Sequence, residues 1–377
     1  MCVVTPRALP WQGGVEHAVH SAAKELVALG HQVEVWAPAN RLDFPDLADV
    51  EERESVTYRY FLQPFPHRWT IPPLSLLQTL RAEAGGFDLV HAHLLHQPLA
   101  VLVTVLLGRR IPVVVTGHWH GTGHTLLARL AHPLYRLVAR AGLRRAAMVL
   151  AVSDPEAALL AEHFPGIKDR IMVIPNGIGP IPVGDPYVKT GAVLLSVGRL
   201  ERYKGVDLSI QALTLLPDEV TLTVIGEGPD RARLERVVAD NLLGDRVRFT
   251  GRVTAAELGS WWATADCYLS LSLKEAFGLT FGESLAAGVP CVISEIPAHR
   301  FVASLVPSDE QNAPPVRLVP ARPPMEVLAR AIKEVSGLRT NGYFVTSWAE
   351  MAEKTADTYQ LLIGARRNRN GGHEGRD

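Results

Sequence analysis

The chain has 377 residues, 47% of them apolar, enough to bury more than one core and long enough to favour two domains. Lys and Arg number 38 against 39 Asp and Glu, a balance that excludes a whole-molecule field for nucleic acid or anionic lipid. Cys2, Cys267 and Cys291 are odd in number and far apart, which excludes a disulfide framework or a CxxC metal knot and fits a reducing cytoplasm. The opening Met1-Cys2-Val3-Val4-Thr5-Pro6 lacks a basic-then-apolar signal pattern, and no apolar run approaches about 18 residues. A cytoplasmic protein, soluble or peripheral at the inner membrane face, is therefore expected.

The first strand gives way to Pro10-Trp11-Gln12-Gly13-Gly14-Val15-Glu16, where Gly13 and Gly14 either admit a sugar or phosphate close to the backbone or simply open a helix. Val15, Ala18, Val19, Ala22, Leu26 and Leu29 then recur at helical spacing, Gly30 stops the helix, and 33–37 reads as a strand. The aromatic stretch Tyr58 to Trp69, with Phe65 inside it, reads as irregular and is expected to line one side of a site. Apolar runs at 88–92, 112–116 and 147–152 are spaced for crossover helices, as in a parallel sheet covered on both faces. Histidines gather at the ends of these strands: His91, His93 and His96, then His118, His120 and His124. Two could pair on a metal. Without an Asp-x-Asp or Cys partner pattern, hydrogen bonding to substrate hydroxyls is the better reading, and no metal ligand is assigned. Arg129, Arg136, Arg140 and Arg144 lie opposite Leu127, Leu130, Leu134 and Leu137 on one helix, read as a solvated arginine face, with anionic lipid as the alternative partner. Gly and Pro crowd 178–186, where a linker ends a first domain of 1–180.

A second β-α series, 190–345, begins with the strand 192–197 and continues through strands at 221–225, 247–249, 267–271 and 289–293. Arg199 and Lys204 follow its first strand, at the sheet edge where such folds bind ligands, and a guanidinium with an ammonium suits a diphosphate. Gly226, in Gly226-Glu227-Gly228-Pro229, turns a strand into a helix and reads as a wall near the nucleobase or as a tight turn. Glu275 and Glu283 lie eight apart with a helix start between them. The amides of Phe277, Gly278, Leu279 and Thr280 can receive a phosphate at the positive end of that helix, Glu275 faces the ligand, and Glu283 can accept from ribose hydroxyls. A last helix covers about 347–363, and the polar tail, 366–377 at its end, is expected to be disordered.

Gly13-Gly14-x-Glu16, Ile174-Pro175-Asn176-Gly177, Gly198-Arg199-x4-Lys204-Gly205, Gly226-x-Gly228-Pro229 and Glu275-x7-Glu283, in this order, resemble family 4 of the retaining glycosyltransferases, of GT-B fold. The resemblance implies two Rossmann-like domains facing across a deep cleft, with the last helix, about 350–365, rejoining the first. It implies transfer of a sugar from a nucleoside-diphosphate donor, UDP- or GDP-linked, to an acceptor hydroxyl that can be lipid-linked. No metal, no further cofactor and no nucleic acid are implied. Carried over by position, Arg199 and Lys204 look like the diphosphate clamp, Glu283 like the ribose ligand and Glu275 like the residue orienting the donor sugar. His118 matches the first-domain histidine that contacts that sugar, with His120 a close competitor. The chain departs from the family at Gly179, where an Asp is usual, and at 294–299, where Ser294-Glu295-Ile296-Pro297-Ala298-His299 replaces a Gly-Gly loop. A nucleotide-sugar epimerase of the same fold and a non-catalytic sugar-nucleotide binder remain as alternatives.

Overall fold

The computed structural model describes residues 1–371 except 12, 64–70, 122–125, 183 and 309, with the backbone alone at 126–133 and 369–371. It divides into two units, Met1–Gly177 with Trp348–Asp377, and Ile178–Ser347.

In the first unit β1 (Cys2–Val4), α1 (Gly14–Ala28), β2 (Glu34–Ala39), β3 (Val50–Arg53) and β4 (Val56–Leu62) are followed by α2 (Leu74–Glu83), β5 (Val90–His93) and α3 (Pro98–Leu107). Then come β6 (Val113–Thr116), α4 (Leu126–Leu143), β7 (Met148–Ala151), α5 (Asp154–His163) and β8 (Ile171–Val173). The strands form one sheet in the order β3-β4-β2-β1-β5-β6-β7-β8, parallel throughout except for the β3-β4 hairpin. Strands such as Val113-Val114-Val115 are wholly buried because helices cover both faces, so they read as unbroken apolar runs.

The second unit holds β9 (Val193–Val197), α6 (Val206–Ala212), β10 (Thr221–Ile225), α7 (Arg231–Asp240), β11 (Val247–Gly251) and α8 (Ala255–Thr264). After these come β12 (Cys267–Ser270), α9 (Leu279–Ala286), β13 (Cys291–Ser294), α10 (Pro297–Ser304), β14 (Val316–Val319) and α11 (Met325–Val335). Its order, β11-β10-β9-β12-β13-β14, is wholly parallel and is that of the Rossmann fold. The last helix, α12 (Trp348–Gly371), packs against α1 in the first unit.

Three expectations need correction. Residues 58–62 are not an irregular site wall: they lie in β4, where Tyr58 and Tyr60 face the core in strand alternation. Phe65 and Trp69 lie outside the described residues. The stretch 178–186, expected to hold the boundary, begins where the two units divide, and there Ile178 N–H donates to Thr346 O at 2.8 Å. The tail expected to be disordered from 366 is helical through Gly371. On α4, finally, Leu134 and Leu137 are 69% and 63% exposed while Arg140 Nε donates to the His163 carbonyl at 2.8 Å, so leucines rather than arginines alone meet solvent.

Candidate active site

Strand order decides which loops become neighbours. In the second unit the order reverses between β9 and β12, and loops leaving the carboxyl ends of such a pair border a crevice. The loop after β9 carries Arg199 and Lys204, and the loop after β12 carries Ser272 and Glu275. Lys204 Nζ donates to Glu275 Oε1 at 2.6 Å, and the Ser272 hydroxyl donates to the same oxygen at 2.7 Å. The lysine and glutamate side chains are 21% and 16% exposed, so the pair is largely withdrawn from water with one edge open. Burial alone pushes the carboxyl up, but the ammonium beside it holds Glu275 below the usual carboxylate range; burial likewise pulls Lys204 down, and Glu275 brings it back above its ordinary value. Both groups are charged at neutral pH. Arg199 is 55% exposed and only loosely held, with Nη2 3.2 Å from Glu201 Oε1, so it can re-aim toward a ligand. A shallow concavity is lined by Gly198, Arg199, Lys204, Ser270, Ser272 and Thr280.

Gly278 opens α9 in a left-handed conformation, φ 105°, which a Cβ would strain. No side chain caps this helix, leaving its first amides for an anion. Phe277 is buried, so only its backbone can face a ligand, while the Thr280 hydroxyl accepts from Tyr268 Oη at 2.7 Å and holds Leu279 and Thr280 in place. One turn further, Glu283 is half-buried, and burial raises its carboxyl to about 7. Gly226 has a structural explanation: its φ is 125° and a Cβ there would stand 2.0 Å from the Gly198 carbonyl oxygen. The turn at Gly226 braces the Arg199 loop, with Gly198 N–H donating to Ile225 O at 3.0 Å and Leu200 N–H to Glu227 O at 2.9 Å.

In the first unit the order reverses between β1 and β5. Gly13 precedes α1, whose first turn has no side-chain cap, and a Cβ on Gly13 would stand 2.4 Å from Oε2 of the buried Glu16. Gly14 is the first helical residue. After β6, His118 is buried with φ 46°, a strained conformation for a residue with a Cβ and one that concentrates at functional sites. Its Nε2 lies 3.5 Å from His93 Nδ1. The His93 ring lies 4.1 Å from that of His91, tilted by 35°, and His91 Nδ1 meets Tyr359 Oη at 2.6 Å while its Nε2 meets Thr116 Oγ1 at 2.7 Å. Burial pushes the His118 imidazole down to about 4 and His91 to about 3, so both are neutral and can each donate and accept. These side chains, with Asn176, line a small cavity. His120 belongs to a separate group, its amide donating to His96 Nε2 at 3.0 Å. Among the described residues no three of His, Cys, Asp or Glu converge as a metal site.

Sequence reasoning missed three residues. Ser272 and Tyr359 carry no local signal. Glu156 does: Ser153-x-x-Glu156 is a capping pattern, and Glu156 N–H does donate to Ser153 Oγ at 3.2 Å. Its carboxyl group, which burial pushes up to about 8 against the opposing pull of these bonds, accepts from Val152 N–H at 2.6 Å and, across the loop, from Trp119 N–H. It thus holds the turn that bears His118.

Two Rossmann-like parallel α/β units, each with polar loops at its switch point, are the architecture of the GT-B fold, and comparison with known proteins agrees. Residues 12–180 match the model described as Glycosyltransferase Family 4 and residues 186–305 that of Glycosyl transferases group 1. The chain thus carries, in this order, a segment similar to each of two glycosyltransferase models. It is 31% identical over 239 residues to a D-inositol 3-phosphate glycosyltransferase of Pseudarthrobacter chlorophenolicus, an alignment spanning 57% of this chain and only 56% of that relative. It is 26% identical over 387 residues to a phosphatidyl-myo-inositol mannosyltransferase of Mycolicibacterium smegmatis, covering 96% and 94% of the two. Among solved structures, a sucrose-phosphate synthase of Thermosynechococcus elongatus has a TM-score of 0.78 at 23% identity, covering 97% of this chain and 99% of that one. HepE of Anabaena, in complex with UDP and glucose, has a TM-score of 0.71 at 18% identity, covering 96% and 99%.

Proposed function

We propose that the chain moves a hexosyl unit, with retention, from a UDP- or GDP-linked donor to an acceptor hydroxyl on a glycan, glycolipid or small glycoside, without a metal ion. The Lys204-Glu275 pair at the switch point of β9 and β12, beside the uncapped start of α9, carries this reading. As the bond from sugar carbon to diphosphate oxygen breaks, negative charge grows on the leaving phosphate. Lys204, Arg199 and the amides from Phe277 to Thr280 are the donors that would stabilise it, and charge stabilisation of this kind is commonly the largest rate term. Glu275, already ionised, accepts from hydroxyls of the donor sugar, and Glu283 from those of the ribose. Neutral His118 exchanges a hydrogen bond with the sugar. The acceptor oxygen attacks the same carbon on the face the diphosphate leaves, and its proton passes to the departing phosphate oxygen. No protein nucleophile is assigned.

The test is incubation of the purified chain with UDP- and GDP-sugars and a panel of hydroxyl acceptors, reading nucleoside diphosphate release and the anomeric configuration of the product by NMR. Acceptor-dependent release with retention, unchanged by a chelator, is expected. Interconversion of donor sugars without acceptor would establish an epimerase instead, and nucleotide binding without turnover across the panel a binding protein.

A further inference from the structure

Between the end of β13 and the start of α10, in the segment 294–299 that stands in place of a Gly-Gly loop, a buried imidazole keeps an unused nitrogen. His299 is wholly buried. Its Nδ1 lies 2.8 Å from the Ser294 carbonyl oxygen and 3.3 Å from the Ser294 hydroxyl. A carbonyl oxygen only accepts, so Nδ1 carries the proton and Nε2 is the bare nitrogen of a neutral ring. Burial outweighs the nearby Glu275 carboxylate and holds the imidazole below its ordinary value, which keeps that ring neutral at pH 7. Nε2 is buried and meets no hydrogen-bond partner among the described residues. An apolar side chain of similar volume would fill the same place without leaving a polar atom unpaired, so the imidazole costs stability where it stands.

What the imidazole adds over an apolar residue is the Nδ1 proton, and the bonds from it lead to the candidate site. The Ser294 hydroxyl donates to the Ser272 carbonyl oxygen, and the Ser272 hydroxyl donates to Glu275 Oε1 at 2.7 Å. Because both carbonyls can only accept, His299, Ser294, Ser272 and Glu275 form one directed chain of contacts from α10 through the end of β13 to the loop after β12. Lys204 Nζ donates to the same Glu275 oxygen. The ring also seats the start of α9: a Cβ on Gly278 would stand 3.3 Å from His299 Cδ2, and Phe281 meets the imidazole edge-on with centroids 5.8 Å apart. We infer that His299 is a positioning residue for Glu275, holding that carboxylate, through Ser294 and Ser272, in its aim toward the donor sugar. The unpaired nitrogen speaks against a packing role, which leucine would fill better.

The inference rests on the transferase reading of Glu275, and the test separates the two. His299→Leu keeps the volume and removes both nitrogens, His299→Asn offers an amide donor to Ser294, Ser294→Ala breaks the middle link, and Glu275→Gln is the control. Thermal midpoint, affinity for UDP and GDP by calorimetry, and steady-state turnover are measured on the whole chain. His299→Leu is expected to melt at or above the parent, to bind the nucleoside diphosphate within about threefold of it, and to lose kcat about ten- to a hundredfold, the scale of a small misplacement. His299→Asn should recover most of that kcat although it packs less well. Ser294→Ala should fall to the level of His299→Leu, and the double variant no further, because both changes break one chain. Full kcat in His299→Leu, a midpoint well below the parent's, no recovery in His299→Asn, or additive losses in the double variant would overturn the inference. If Glu275→Gln loses turnover while His299→Leu keeps it, only this inference fails; if both keep full turnover, the reading of Glu275 fails with it.

Discussion

Lys204 and Glu275 stand 71 residues apart in sequence, yet Nζ lies 2.6 Å from Oε1, and the Ser272 hydroxyl gives that oxygen a second bond. A buried ion pair is weak evidence for stability by itself, because desolvation opposes it, but removing one partner leaves an uncompensated charge. Lys204→Ala is therefore expected to lower kcat by about a hundred- to a thousandfold, the usual scale for losing one charge-stabilising donor. Glu275→Gln should lower kcat with a smaller change in nucleoside diphosphate affinity, since its proposed partner is the sugar. Steady-state kinetics and calorimetry check both, and full turnover in either variant would remove that residue from the machinery. Glu275 is also held below its usual carboxylate range, so the stability it contributes is complete above that range and is lost as pH falls through its own lower value.

Glu156 holds the turn at His118 without facing the proposed substrate. Two backbone amides donate to its carboxyl group, so Glu156→Ala should cost about 2–4 kcal/mol in stability and lower kcat by about a hundredfold, the scale set by small misplacements of a contacting group. Because Glu156 lies in the first unit and the diphosphate cluster in the second, nucleoside diphosphate affinity should stay near the parent value. A variant that unfolds in denaturant as the parent does and keeps full kcat would contradict the role.

Glu283 supplies a pH dependence whose direction can be worked out. Burial raises its carboxyl from 4.5 to about 7 in the folded protein, so the native state keeps a proton that the unfolded chain has released, and stability declines as pH rises through that window. Ribose hydroxyls donate best to the ionised form. Nucleotide affinity should therefore strengthen as pH rises through about 7, with proton release on binding, and Glu283→Gln should flatten the part of the profile that belongs to the protein. Calorimetry in buffers of different ionisation enthalpy measures that release. An identical profile in the variant would assign the pH dependence to the nucleotide alone.

Gly226→Ala tests the bracing of the Arg199 loop. With only 2.0 Å between its Cβ and the Gly198 carbonyl oxygen, and with φ at 125°, one backbone segment must move. The expected results are a lower thermal midpoint and weaker nucleoside diphosphate binding together, because the displaced segment carries Arg199. Unchanged binding by a fully folded variant would dissociate the two loops.

By itself the sequence determined the features that follow from local periodicity and short motifs. Unbroken apolar runs separated by amphipathic stretches specified two parallel α/β halves, since strands covered on both faces have no polar side to show. Arg199, Lys204, Glu275 and Gly278 could be singled out as candidates because each sits a few residues beyond a strand or at a helix start, and Glu283 because it follows one turn into that helix. Tertiary structure alone decided which of these meet. Lys204 reaches Glu275 because β9 lies beside β12, a consequence of sheet order that no spacing encodes. Glu156 reaches Trp119 only because β6 and β7 are paired neighbours, and Tyr359 reaches His91 only because α12 clusters with the first unit. The outward face of α4 was likewise unreadable: periodicity reveals two faces of a helix, but only the neighbouring elements determine which one is covered.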